Sequence, residues 1–476
     1  MRRPTLIIVS CLGYVLGIVT GYNFLFETNI FWLAFIILAI TSSFLLKNII
    51  KALPLVLAGF CLGIIMLNSH INTLAERGLS SYYYQKVEIT GTVKGDPYWD
   101  EDKNYVFIIK NVTVDGQNKY GEMRVKTFSS FAKEGYVVRV KGKLYPTLAK
   151  PGSQISFATV ELLSVHTPPL VHFKNYFYSG LDRALNQDSA NFMKGILIGS
   201  RSLLGKNIQD TLNSVGLSHI IAVSGYNLTI LVVLLQRILR RRWAWGGLVL
   251  SLVVVWAFTL LVGASASITR AAIMATVFLI ASYYGRPVGI FTCISLTAAI
   301  TLAFNPTALI EDVGWQLSFL SLLGIIIISP IIIKALPKKL TLLNEAIAIT
   351  IAAQIATVPY LLFVFGKFSL ASLISNIILM PIIPILMLVG FVVAIIGIFL
   401  PNHAYMLGAP INKAVELIFD FLKFLQSKSN LVVSIQPKII TLIAWYLALA
   451  MLGVIVYHRR LYDELFAFHN KPKMLK

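Results

Sequence analysis

Polar and ionisable side chains set inside long apolar runs are the residues with chemistry to offer here. Each is costly at membrane depth, where such groups face a bundle interior or an aqueous path. The first group lies in Gly216-Leu-Ser-His-Ile-Ile-Ala-Val-Ser-Gly-Tyr-Asn-Leu-Thr-Ile-Leu231. Helical spacing puts His219, Val223 and Asn227 on one stripe with Ser224 beside it. These residues either line a polar path or join helices through the small Ser224 and Gly225. Arg270, in Ser265-Ala-Ser-Ile-Thr-Arg-Ala-Ala-Ile-Met-Ala275, sits near a helix start. It either reaches a phosphate or a carboxylate, or snorkels to the interface. Asp312 and Gln316 are spaced i, i+4 and share a face, with Glu311 or Asp312 placed to cap the helix. Gln354 and Asn376 are lone amides in apolar helices, suited to interhelical hydrogen bonds or to a polar lining.

Nucleophilic catalysis fits these residues poorly. Ser224 and His219 are five apart on one helix and point about 140° from each other, and His403 is the other base on offer. Cys11, Cys61 and Cys293 all sit in apolar runs without metal-ligand spacing, so neither a disulfide framework nor a zinc site is expected. The chain is accordingly expected to be no enzyme, with no cofactor and no metal.

The elements that must position these residues are membrane helices. Of 476 residues, 57% are hydrophobic and 13% charged, with a mean hydropathy of +0.76, far from a soluble domain. Apolar runs recur at about the length that crosses a bilayer. Three open the chain, near 5–22, 29–46 and 50–68. A second set follows near 217–236, 244–262, 267–284, 288–304, 313–333, 345–365, 369–400 and 438–457. Pro381 and Pro384 interrupt the run 369–400, which is either one kinked span or a broken, re-entrant pair. The stretch 404–426 is less apolar and reads as interfacial. Arg2 and Arg3, the cluster Arg237, Arg240, Arg241 and Arg242, Lys338 with Lys339, and Arg459 with Arg460 mark the cytoplasmic side. Both termini are therefore expected inside a cell inner membrane. The formal net charge of +20 partly reflects such loops and anionic headgroups, and does not by itself indicate nucleic acid.

Between Arg77 and Thr167 the character changes to β-branched and aromatic runs broken by Gly, Asp and Asn. Strands are expected at Val87–Val93, Tyr105–Val114, Glu122–Phe128, Tyr136–Leu144 and Ile155–Val165. That pattern suits a small barrel of the OB type. Tyr82 to Tyr84, Tyr98, Trp99, Tyr105, Phe107 and Tyr120 alternate with Lys86, Lys94, Lys103, Lys110, Lys119, Arg124 and Lys126. Some of these aromatics must fill the core, and others are placed to stack bases beside a phosphate-tracking groove. After Thr167-Pro168-Pro169 an amphipathic stretch to about Ser214 is expected on the outer membrane surface. The fold class expected is a polytopic α-helical membrane protein with an extracellular all-β OB-like domain inserted after three N-terminal helices. Its divisions are 1–70, 77–167, 168–215, 216–460 and a cytoplasmic tail, 461–476.

Four ordered blocks, Gly216–Leu231, Ser265–Ala275, Asn305–Ile326 and Ala353–Met387, resemble the ComEC competence-protein family. The resemblance implies a polytopic domain that conducts transforming DNA, preceded by N-terminal helices and an external OB-like domain. Where the family usually reads Ser-Gly-Leu-His, this chain has Ser224-Gly225-Tyr226-Asn227, so a role resting on that histidine is not carried over. Many members also carry a C-terminal metallo-β-lactamase-like domain. With no His-x-His-x-Asp-His cluster in the sequence, this chain is expected to be a form lacking it, and a metal-dependent nuclease would be a separate protein.

The function expected is thus an inner-membrane channel for single-stranded DNA during natural transformation, with His219, Ser224, Asn227, Arg270, Gln316, Gln354 and Asn376 along the path. Membrane lipids, a cytoplasmic helicase-like motor and DNA-binding proteins are the other partners expected, since no nucleotide-binding loop is present. The rival reading is a permease or exporter of another polyanion or a small solute, and an intramembrane hydrolase is a more distant one.

Overall fold

The computed structural model describes residues 3–24, 52–100, 102–147, 152–217, 225, 227–229, 231–233, 244–286, 289–337, 341–427 and 432–458. The helix expected over 29–46, the basic cluster 237–242, Lys338 with Lys339, and the tail lie outside these residues, as do His219 and Ser224.

Helices α1 (Arg3–Phe24) and α2 (Ala52–Arg77) pack along their length. Gly13, Gly17, Gly59 and Gly63 form the contact: a Cβ on any of them would overlap the backbone of the other helix. This is the small-residue packing by which apolar helices associate in lipid, where burial of apolar surface supplies no drive. α2 runs beyond the expected end near residue 68, because its last polar turns remain helical up to the start of the β domain.

Strands β1 (Lys86–Trp99), β2 (Tyr105–Val114), β4 (Met123–Thr127), β6 (Ser153–Ile155) and β5 (Val137–Pro146) pair in that order, and β5 pairs back with β1 to close a barrel. β4 and β6 are parallel; the other pairs are antiparallel. β3 (Gln117–Asn118) adds to β2, and β7 (Thr159–Ser164) adds to β5. The single strand expected over Ile155–Val165 is two strands. Phe157 turns the chain with a left-handed backbone, φ 55°, so that β6 pairs with β4 and one end of β5 while β7 pairs with the other. Alternate residues fill the interior, including the fully buried Ile89, Phe107, Ile109, Met123, Leu144 and Ile155. Each large apolar side chain so buried contributes roughly 1.5–3 kcal/mol.

The amphipathic stretch folds as α3 (Pro169–Ala184), α4 (Gln187–Ile198) and α5 (Lys206–Ser214). The helices that follow are α6 (Ala244–Leu261), α7 (Ala266–Tyr283), α8 (Ile290–Phe304), the single turn α9 (Ala308–Glu311), α10 (Val313–Ala335) and α11 (Thr341–Phe365). The Pro-interrupted run resolves into α12 (Ala371–Leu379) and α13 (Ile382–Phe399), broken at Met380-Pro381, and α14 (Pro401–Ser427) and α15 (Ile439–His458) complete the chain. Two-residue strands β8 (Phe368–Ser369) and β9 (Val432–Val433) tie the α11–α12 and α14–α15 connections together. Among the described residues, six helices are long and apolar enough to cross a membrane, and α6, α8 and α15 hold shorter apolar stretches.

One core joins α3, α4 and α5 to α12, α13 and α14. Backbones meet closely at the crossing of α3 and α13, where a Cβ on Gly397 would overlap the Gly180 carbonyl and a Cβ on Gly180 would overlap that of Ala394. Replacing Gly397 with Leu should push these helices apart at a cost of at least the ~1–3 kcal/mol of ordinary overpacking. A lower thermal midpoint of the purified protein is the expected result; an unchanged midpoint would mean that the two backbones do not meet there.

Candidate functional site

Arg270 lies one turn into α7, which starts after the left-handed pair Gly263 and Ala264. Its side chain turns into the bundle, not toward the interface, and is 2% exposed. Nε donates to Ser318 Oγ at 3.1 Å and Nη2 to the Gly314 carbonyl at 3.1 Å, both on the first turns of α10. The guanidinium carbon stands 5.7 Å from the centre of the Phe319 ring, a cation–π contact. Nη1 is buried and has no hydrogen-bond partner among the described residues. A guanidinium carries five donors, so this site holds a buried cation with capacity to spare.

The start of α10 is built by its own side chains. Asp312 is the N-cap, accepting from the Trp315 N–H at 3.1 Å, so the cap is Asp312 and not Glu311. Capping places Asp312 outside the helix, and it does not share a helical face with Gln316. Gln316 reaches back across the break, donating to the carbonyls of Leu309 at 2.8 Å and Ile310 at 3.1 Å. Its amide oxygen accepts from the Tyr360 hydroxyl on α11. Trp315 Nε1 donates to Thr301 Oγ1 on α8 at 3.0 Å. Gly314, Gln316 and Ser318 thus belong to one broken-helix element, which Arg270 reaches from α7.

A second polar contact joins α11, α12 and the turn at Val215-Gly216. Gln354 Nε2 donates to Ser372 Oγ at 3.2 Å, and Ser375 Oγ donates to the Val215 carbonyl at 3.2 Å. Gly216 has φ 72° and lies so close that a Cβ would overlap the Ser372 side chain. Asn376 is half-buried on α12. Asn227 is 6% exposed, and the nearby Gly225 packs against Ala271, the neighbour of Arg270. Ser318, Ser372, Ser375 and Tyr360 were not singled out from sequence, because serines in an apolar helix read as packing residues.

A third site joins the barrel to the helices. Lys174 on α3 is buried and donates to Asp96 Oδ1 at 2.9 Å and to Glu134. Tyr178 and Ser200 bond one another, and both bond Asp96 Oδ2. Gly95, Asp96, Tyr98, Glu134, Lys174, Ser200 and the loop Leu261–Gly263 line a cleft of about 380 Å³ between barrel, α3–α4 and the end of α6. Burial pulls the Lys174 ammonium down, but Asp96 and Glu134 outweigh it and hold its pKa above the ordinary lysine value. Burial, reinforced by Asp96, pushes the Tyr178 phenol up. The sequence did carry a signal, since Lys174 shares a helical stripe with Phe177, Tyr178 and Leu181 and so stands on the apolar side of its helix.

A family model described as Competence protein matches residues 196–460. This chain belongs to the competence protein family. Arg270, Gln316, Gln354, Asn376 and Asn227 all fall inside the family region, whereas the barrel and Lys174 precede it. The chain is similar to ComE operon protein 3 of Bacillus subtilis (strain 168), with 28% identity over 229 residues, which is 48% of this chain and 29% of that relative. The match therefore spans well under two thirds of the relative's length. No solved structure matches.

Removing the Lys174 cation leaves two partly buried carboxylates unpaired, at a cost of about 3–5 kcal/mol. Lys174→Met should therefore lower the thermal midpoint clearly. Because the folded-state pKa is raised, the stabilisation is complete below the unfolded value of about 10.4 and is lost as pH rises through the folded one. The deficit of the variant should stay constant between about pH 6 and 9; a deficit that disappears within that range would contradict the assignment.

Proposed function

We propose that this protein is the membrane channel through which single-stranded DNA enters the cytoplasm during natural transformation. In this reading the barrel, whose strand order is that of the OB type, stands outside the membrane and receives the strand. The family region conducts it, and both termini are cytoplasmic, in keeping with the basic loops. A cytoplasmic motor or DNA-binding proteins supply the driving force, and a separate nuclease removes any second strand.

The observation that carries the reading is Arg270. A buried guanidinium with a nitrogen unpaired among the described residues is suited to hold water or a passing phosphate, and Ser318 and Gly314 orient it, with the Asp312 carboxylate within its electrostatic reach. Weak, repeated contacts of this kind favour entry without trapping the strand. Gln316 and Gln354 act in this reading by holding the broken helices that shape the path, and His219, Ser224, Asn227 and Asn376 remain lining candidates.

The test is uptake of labelled DNA into the cytoplasm of the native host. Deletion should abolish it and wild type should restore it. Arg270→Ala should restore roughly tenfold less or worse, the scale of one lost charge-assisted hydrogen bond, at equal protein level in the membrane. Arg270→Lys, which keeps the charge but lacks the fork, should fall between. Uptake that survives deletion would sink the channel reading and favour a permease for another solute.

A further inference from the structure

Two aromatic residues of the barrel hold a backbone conformation that bulky side chains rarely adopt. Tyr84 has φ 66° and Phe157 has φ 55°, and both project outward, 63% and 73% exposed. Neither is a loose loop. The Tyr84 N–H donates to the Leu144 carbonyl at 2.7 Å, and Leu144 returns a bond to Gln85. The Ala158 N–H donates to the Lys126 carbonyl, and Thr127 Oγ1 donates to the Ala158 carbonyl, both at 2.9 Å. Strain that the surroundings enforce so firmly concentrates at functional sites.

Each strained residue stands beside a second exposed ring. Tyr84 meets Tyr145 at 6.0 Å, edge to face, with Lys143 Nζ 5.6 Å from the Tyr145 ring. Phe157 meets Phe128 at 5.9 Å. The two pairs flank the same short strand, β6: Tyr83 bonds Ser153 at its start, and Phe157 follows its end. From the first pair a cross-strand row runs over β6, Tyr145 opposite Gln154 opposite Arg124. Lys143 is the cation on this stretch of β5, whereas Arg139 and Lys141, nearer β1 and β7, are ion-paired with Glu88 and Glu161.

Exposed rings with the Lys143 ammonium beside one pair, and the Gln154 amide and Arg124 guanidinium on the same face, match a polyanion that also carries flat π-faces. We infer that the outer face of β4, β6 and β5, between the Tyr84–Tyr145 and Phe128–Phe157 pairs, is a base-stacking platform for single-stranded nucleic acid. The inference rests on the uptake reading and adds to it the surface on which the strand is first held. Its chemistry selects for bases, not for sequence, because every base offers a face to stack.

The test is binding of a fluorescent thymidine 20-mer, and of an abasic oligomer of the same length, to the full-length protein in lipid nanodiscs. The wild type should prefer the thymidine oligomer. Phe157→Gly relieves the backbone strain, so it should fold at least as well as wild type yet bind the thymidine oligomer about fivefold more weakly or worse, the low end for one lost stack. Tyr84→Gly should do the same, and the double variant should bind both oligomers alike. Tyr176→Ala, which removes an exposed ring on α3 away from this face, should change nothing. Unaltered thymidine binding in the double variant would overturn the platform while leaving DNA uptake standing. Wild-type binding without preference for bases would also overturn it, pointing to a general polyanion surface; the failure of DNA uptake itself would be seen separately, in the deletion strain.

Discussion

Hydrocarbon offers no water to a carbonyl freed where a helix breaks, so a break within an apolar bundle must be closed by protein or face a water-filled cavity. The rest of the family region is arranged around that requirement. Gln316 takes two carbonyls of α9, Asp312 caps α10, and Ser375 takes the carbonyl of Val215. Each polar side chain in turn needs its own partner, which brings Tyr360 to Gln316 and Gln354 to Ser372. The polar residues thus satisfy backbone groups freed where helices break. Arg270 differs from them, since its partners leave one nitrogen with no partner among the described residues.

The same shortage of driving forces in lipid explains why backbones approach so closely. Glycines bring α1 against α2 and α3 against α13, and these contacts gain through dispersion and fit. The α3–α13 contact also fixes where Lys174 stands. A buried lysine between two carboxylates is weak evidence for stability, because desolvation offsets much of the attraction. It does join the barrel to α3 and to the start of the loop after α4, with Asp96, Glu134, Tyr178 and Ser200 satisfied together. The β1–β2 hairpin is thereby held against the end of α6, where Tyr98 and Leu261–Gly263 share a cleft.

Much of this was legible in the sequence, and for definable reasons. Apolar run length marked the spans, and alternation in β-branched and aromatic residues marked the strands, with Tyr105–Val114 at its observed bounds. Pro381 marked the break between α12 and α13. The glycine spacing at 13, 17 and 21, and at 59 and 63, was also present as a helix-contact signal. Polar residues in apolar runs identified Arg270, Gln316 and Gln354 as unusual, because their cost follows from residue type and setting alone.

What each residue does was decided by tertiary structure. Asp312 against Glu311 as the cap, Gln316 as a clamp, and Arg270 turned inward depend on which helix lies opposite, and residue type does not encode that choice. The pairing of Tyr84 with Tyr145 and of Phe157 with Phe128 likewise follows from barrel closure, which joins strands distant in the chain. The sequence by itself determined a membrane bundle carrying a small barrel, since hydrophobic period and run length are local properties. The partners of the buried polar groups were settled by packing, because hydrogen bonds and ion pairs depend on ångström-scale distances between segments far apart in the chain, as with Ser375 and the Val215 carbonyl, 160 residues away.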